Sequence, residues 1–135
     1  MIGLTALAAA QIGSAYADIQ DADLWIGFDE TENGFLIDED TGRVWMTGAC
    51  AKALEPASKS GTVWTSRTIE IVSVGRGSTT LDQRFDLDTN DAAPRIVVTS
   101  AGRGGVQTFP AVLDRACGRS GTCAGLIVTQ TACER

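Results

Sequence analysis

The chain has 135 residues, 44% of them apolar, with a net charge of −6 and no histidine. That length suits one domain around a single core, and that apolar fraction excludes a disordered chain. An acidic chain without a basic cluster has no electrostatic reason to bind nucleic acid or anionic lipid. Without imidazole it cannot build a Ser-His-Asp triad, a Cys-His pair or a His-ligated metal.

Residues 1–17, "MIGLTALAAAQIGSAYA", are uncharged, carry an apolar block from Ile2 to Ala10 and end on the small-x-small pattern Ala15-x-Ala17. That order is the order of a secretory signal peptide, although no Lys or Arg follows Met1. The competing reading is a first core helix, since Ala and Leu are good helix formers. The signal reading predicts that residues 1–17 are removed and that residues 18–135 fold as one β-rich domain in a periplasmic or extracellular setting. No other apolar stretch reaches the length of a membrane span.

Charge is unevenly distributed past that point. Residues 18–40 hold nine acids and no base, whereas residues 41–135 hold eleven bases and eight acids. A solvated face balanced by Arg84, Arg95, Arg103, Arg115 and Arg119 accounts for the acidic segment. The sharper alternatives are a calcium site or a docking surface for a basic partner.

Strand signals come next. "LWIGF" (24–28), "GFLID" (34–38) and "GRVWMTG" (42–48) are β-branched and aromatic runs between Gly, Asn and Asp clusters. The sequence 29–40, "DETENGFLIDED", places Asp29, Thr31, Asn33, Gly34 and Asp40 near positions 1, 3, 5, 6 and 12 of a calcium loop, with Leu36 at position eight. Thr at the third position and Asp at the twelfth fit it poorly. A hairpin fits better: Asp38 to Gly42 turns the chain and Phe35-Leu36-Ile37 pairs with Val44-Trp45-Met46.

"CAKALEPASK" (50–59) predicts a short helix, as does "PAVLDRACG" (110–118), with Pro110 at a first helical turn and Gly118 at its stop. Between them lie "GTVWTSRTIEIVSVG" (61–75), "TTLDQRFDLD" (79–88), "PRIVVTS" (94–100) and "GGVQTFP" (104–110), with "AGLIVTQT" (124–131) following. In the long run, alternation assigns Ile69 and Ile71 to the core and Glu70 to water. The change of apolar side at Val72 to Val74 predicts a bulge or a strand whose far end is covered on both faces. About seven or eight strands predict an all-β, or β-rich, single-domain sandwich or small barrel with one or two short helices.

A second acidic cluster, "DLDTNDAAP", sets Asp86, Asp88 and Asn90 at alternate positions, but Asp91 stands where a calcium loop needs glycine. It reads as the end of a strand and a connecting loop. The glycine-rich segment 100–109 lacks the Lys-Ser or Lys-Thr ending of a phosphate loop and reads as a hairpin connection. Adjacent Ser58, Lys59 and Ser60 on a loop do not face one another as a catalytic pair would.

Cys50, Cys117, Cys123 and Cys133 form an even set without Cys-x-x-Cys spacing, which predicts two disulfides rather than zinc. A strand after Cys123 would carry Cys133 out of its bonding range, favouring the pairs Cys117–Cys123 and Cys50–Cys133.

Together these features predict a small exported β-domain that binds or supports a protein or cell-envelope partner without catalysis or cofactor. A calcium-dependent adhesion module and a carboxylate-dependent hydrolase are the rival readings. Trp25, Trp45 and Trp64 all fall in strands, where an exposed one would mark a binding hot spot.

Overall fold

The computed structural model describes residues 19–29, 32–101, 104–115, 123 and 133, with the side chains of 70–74 outside that description. Ten strands follow one another: β1 (Leu24–Gly27), β2 (Gly34–Asp38), β3 (Arg43–Thr47), β4 (Lys52–Ala53), β5 (Ser58–Ser60), β6 (Val63–Val74), β7 (Gly77–Asp88), β8 (Arg95–Ser100), β9 (Gly105–Pro110) and β10 (Val112–Asp114). They form two antiparallel sheets ordered β10-β1-β2-β3-β4 and β5-β6-β7-β8-β9. Within β1–β4 and within β5–β9 each strand therefore lies beside its neighbour in sequence, and β10 returns to β1. The result is an up-and-down meander folded into a sandwich, with corners where β4 passes to β5 and β9 passes to β10.

The β2–β3 hairpin has the expected pairing, Phe35 with Met46, Leu36 with Trp45 and Ile37 with Val44. Its turn is built by Asp38. The Asp38 Oδ1 accepts from the N–H of Asp40 at 2.9 Å and of Thr41 at 3.4 Å, while the Gly42 N–H donates to the Asp38 carbonyl at 2.9 Å. Gly42 sits at φ 78°, where a side chain would be strained.

Alternation along β1, β2 and β3 sends side chains both ways. Leu24, Ile26, Phe35, Ile37 and Val44 meet Trp64, Phe85, Leu87 and Ile96 of the second sheet in the interior of the sandwich. On the opposite face, Trp25, Leu36 and Trp45 pack with Ile19, Ala22, Ala51 and Cys123. The first sheet is thus apolar on both faces, which is why its strands read as continuous apolar runs. All three tryptophans are buried, so none is an exposed hot spot. Lys59 Nζ lies 5.1 Å over the Trp64 ring at the edge of the interior.

Cys50 and Cys133 form a disulfide with a Cα separation of 5.0 Å. Beside it the Cys133 N–H donates to the Ala51 carbonyl at 2.9 Å. Among the described residues no cysteine is free. The expected Cys117–Cys123 pair involves Cys117, which lies outside the described residues, as do the signal-like segment 1–17 and the strand expected at 124–131.

Four expectations are corrected. The segment 50–59 is no helix: Pro56 interrupts it, and its donors go to other strands. Leu54, Glu55 and Ala57 N–H donate to the carbonyls of Val44, Arg67 and Gly42. The described part of 110–118 is likewise extended, with Pro110 ending an edge strand, where its missing N–H costs no ladder bond, and β10 adding to β1. Ile69 is 49% exposed rather than core. The register sets Trp64 against Leu87 and Ser66 against Phe85, so Trp64, Ser66 and Thr68 face inward and Ile69 faces out. The expected bulge at Val72 to Val74 is absent, since pairing runs unbroken from Val63–Asp88 to Val74–Gly77. Ile71 and Glu70 are among the residues whose side chains lie outside the description.

Candidate functional site

The second sheet turns a charged face to water. Along β7, Asp82, Arg84, Asp86 and Asp88 alternate outward, and Arg84 stands directly opposite Arg67 of β6. Like charges opposite one another are destabilising, and here each guanidinium is neutralised by a carboxylate one step along the face. Arg67 Nη2 contacts both oxygens of Asp82 at 3.0 and 2.8 Å. Arg84 donates from Nε and Nη2 to Asp86 Oδ2 at 3.1 and 3.0 Å, and Thr65 Oγ1 donates to Asp86 Oδ1 at 2.7 Å. Asp88 accepts from Thr62 Oγ1 at 2.7 Å and lies 3.8 Å from Arg95. Two depressions of about 210 and 290 Å³ share Arg67 and Arg84 as lining.

The same sheet also projects. β6 and β7 are 12 residues each, but β8 is 6, and its last pairing is Ser100 with Gln83. From Leu81 to Gly77 the hairpin therefore runs past its neighbour for roughly 16 Å at about 3.3 Å per residue. On the β7 side the last bond is from Ala101 N–H to the Asp82 carbonyl at 3.0 Å; on the β6 side it is from Glu55 N–H to the Arg67 carbonyl at 3.1 Å. Among the described residues no strand covers either edge beyond these bonds. Ile69 and Leu81, at 49% and 43% exposure, stand on opposite faces at the root of this arm. Its tip is a two-residue turn, Gly75 and Arg76, with Gly75 at φ 58°, the conformation for which a hairpin of this length selects glycine.

The sequence-predicted ligands are scattered by this fold. Asp29 follows β1 and Asn33 precedes β2, while Asp40 sits in the turn at the other end of β2. Asp86 and Asp88 share the outer face of β7, already engaged with Thr65, Arg84, Thr62 and Arg95, and Asn90 Oδ1 accepts from the Ala92 N–H at 3.0 Å within the β7–β8 loop. Of the cysteines, Cys50 and Cys133 form the disulfide described above, and Cys117 lies outside the described residues. Of the arginines expected to balance the acidic segment, Arg115 reaches it, 3.8 Å from Glu39, and also approaches Asp91 at 3.3 Å. Arg84 and Arg95 pair within β7 and β8, and Arg103 and Arg119 lie outside the described residues.

No protein-family model, no curated protein and no solved structure matches the chain. Function is accordingly read from geometry. No helix among the described residues is long and apolar enough to cross a membrane. The arm was missed by alternation, yet a signal for it exists in the sequence. The run 61–75 is about twice the length of "PRIVVTS", and a strand that long beside one that short must overhang it.

Proposed function

We propose that the protein is an exported, disulfide-stapled β-domain that acts as a non-catalytic binding or structural module for a protein or cell-envelope partner, and that the β6–β7 arm is its docking element. The arm carries this reading. A two-stranded ribbon that leaves its sheet exposes backbone donors and acceptors on both edges, and native folds ordinarily cover such edges. Here the exposed edge comes with Ile69 and Leu81 in the open. Strand addition to an exposed edge is a recurrent way for a β-domain to hold a partner.

The Cys50–Cys133 bond suits an oxidising compartment, periplasmic or extracellular. A non-catalytic role is supported by the missing imidazole and by an outer face whose carboxylates are occupied by Arg and Thr donors.

The test is a photo-crosslinking amino acid placed at position 81, or at position 108 on the outer face of β9, in protein exported by its native host. The expected result is a discrete adduct from position 81 that Thr80→Pro abolishes, none from position 108, and a mature chain that begins at Asp18. Adducts from both positions or from neither would overturn the docking role, and an uncleaved intracellular chain would overturn export.

A further inference from the structure

Arg76 is placed unlike the other described basic residues. It stands exposed in the two-residue turn at the tip of the arm, between Gly75 and Gly77, and makes no ion pair or side-chain hydrogen bond among the described residues. Every other described Lys or Arg but one lies in a paired strand, and the exception, Arg115, is engaged by Glu39 and Asp91.

An endopeptidase takes its substrate as an extended strand, so a bond in a tight turn is cut only where the chain on either side of it can open. The sandwich does not offer that. Arg84 is paired to Arg67 and Thr99, and Arg95 to Asp88 and Pro110, with a neighbour on each side. The arm does. From Glu70–Leu81 to Val74–Gly77 its strands pair only with each other among the described residues, past the last lateral bonds at Arg67 and Asp82. A hairpin without a third strand is marginally stable in water. Opening this one uncovers none of the interior, because Trp64, Phe85, Leu87 and Ile96 all lie on the sandwich side of those bonds.

The covalent frame is laid out to survive such a cut. Cys50 is the single cysteine before Arg76, and it bonds Cys133 after it. A break after Arg76 leaves two pieces joined by that disulfide and by the pairing from Val63–Asp88 to Ile69–Asp82. We propose that the Arg76–Gly77 bond is a processing site for a trypsin-like, arginine-specific endopeptidase, and that its product is a two-chain protein held by Cys50–Cys133. Hydrolysis adds the hydroxyl of water to the Arg76 carbonyl carbon and a hydrogen to the Gly77 nitrogen, so the closed tip becomes a carboxylate and an ammonium. Glycine on either side of Arg76 leaves no neighbouring side chain to obstruct its entry into a carboxylate-bearing specificity pocket.

The folded, disulfide-bonded chain is treated with limiting trypsin and sampled over time, and protein exported by its native host is analysed beside it, each with and without reduction. The expected first cut yields a chain that begins at Gly77, with one species before reduction and two after it, and the host protein carries the same Gly77 terminus. Arg76→Gln is expected to slow the loss of intact chain at least about tenfold and to leave the host protein in one piece. A first cut at Arg103, at Arg119 or within the sandwich, a variant cut as fast as wild type, or a host protein that remains one chain after reduction overturns the proposal. Cleavage does not depend on the docking role: the adduct from position 81 reads that role separately, so either can fail alone.

Discussion

In the first sheet, Trp25, Leu36 and Trp45 turn away from the shared interior and are as buried as the residues that face it. In the second sheet the outward positions hold Thr65, Arg67, Arg84 and Asp86, set against water in a lattice of ion pairs. The two sheets have the same strand number and the same meander order. They differ in what lies on their outer faces, and that difference divides the labour. A sheet buried on both faces is held by packing along its whole length. A sheet buried on one face is held where the interior reaches and is free beyond Phe85 and Val98. The projecting arm grows from that free end.

The sharpest way to break this comparison is to remove apolar atoms from each sheet in turn. Phe35 is buried in the interior with its ring centroid 5.0 Å from that of Phe85, so Phe35→Ala is expected to cost about 3–5 kcal/mol. Ile69→Ala removes an exposed side chain and is expected to stay within about 0.5 kcal/mol of wild type. Urea denaturation of both variants measures the contrast. Similar losses would mean that the second sheet is packed on both faces after all.

The disulfide gives the next largest effect. Cys50 and Cys133 are separated by 83 positions, and closing a loop of that size limits the unfolded chain by about 4.5 kcal/mol in the entropic model. Native disulfides deliver about 2–5 kcal/mol, so Cys50→Ser with Cys133→Ser is expected to lose about 3 kcal/mol in the same urea titration. Cys133 bonds to Ala51, which belongs to the cluster covering Trp25 and Trp45. Hydrogen exchange in the double variant should therefore quicken first in β1 and β3 and leave β7 and β8 least affected. Uniform quickening would erase the distinction between the sheets.

On the charged face the expected effects are small. Arg67 and Asp82 are half-exposed, and exposed pairs of this kind contribute about 0.2–1 kcal/mol and weaken with salt. Arg67→Ala should destabilise by less than about 1 kcal/mol, because it also relieves the repulsion with Arg84 directly across β7. Melting at low and high salt checks this. A loss comparable to Phe35→Ala would make the ion-pair lattice, rather than the interior, the support of the second sheet.

How far the sequence carried the fold follows the same division. The β2–β3 register was legible because Asp38 and Gly42 fix a turn and the flanking runs are apolar without interruption, leaving one way to pair them. Alternation failed in β6, where Trp64, Ser66 and Thr68 face inward and Ile69 faces out. Hydrophobicity alone favours Ile69. Inward direction is decided by which residues lie opposite Leu87 and Phe85, a long-range fact that no local window contains. The helices expected at 50–59 and 110–118 failed for a related reason. Both segments turn corners between sheets, and their backbone donors are taken by partners distant in sequence. Of the candidate site, the acids were visible as residues, but their placement depended on which end of a strand each one occupied.

Calcium supplies the smallest expected effect, and strand length decides it. A calcium ion holds its oxygens at about 2.3–2.6 Å, so two ligands lie at most about 5 Å apart. Asp29 and Asn33 stand at one end of β2, and Asp40 lies beyond the other end. The 5 residues of β2 between Asn33 and Asp40 span roughly 16 Å at about 3.3 Å per residue, so the three side chains cannot share one ion. Asp38, two residues before Asp40, has its Oδ1 committed to the turn. Melting in EDTA, in millimolar calcium and in matched magnesium is therefore expected to give one Tm, unchanged in its ion dependence by Asp29→Ala. A site occupied at 100 times its Kd would stabilise the fold by about 2.7 kcal/mol, a shift on the order of 10 °C for a domain of this size. A rise of that size specific to calcium and lost in Asp29→Ala would place a complete site in the β1–β2 turn alone. It would give the first sheet an ion-dependent surface of its own, and the contrast between a buried sheet and a working one would no longer hold.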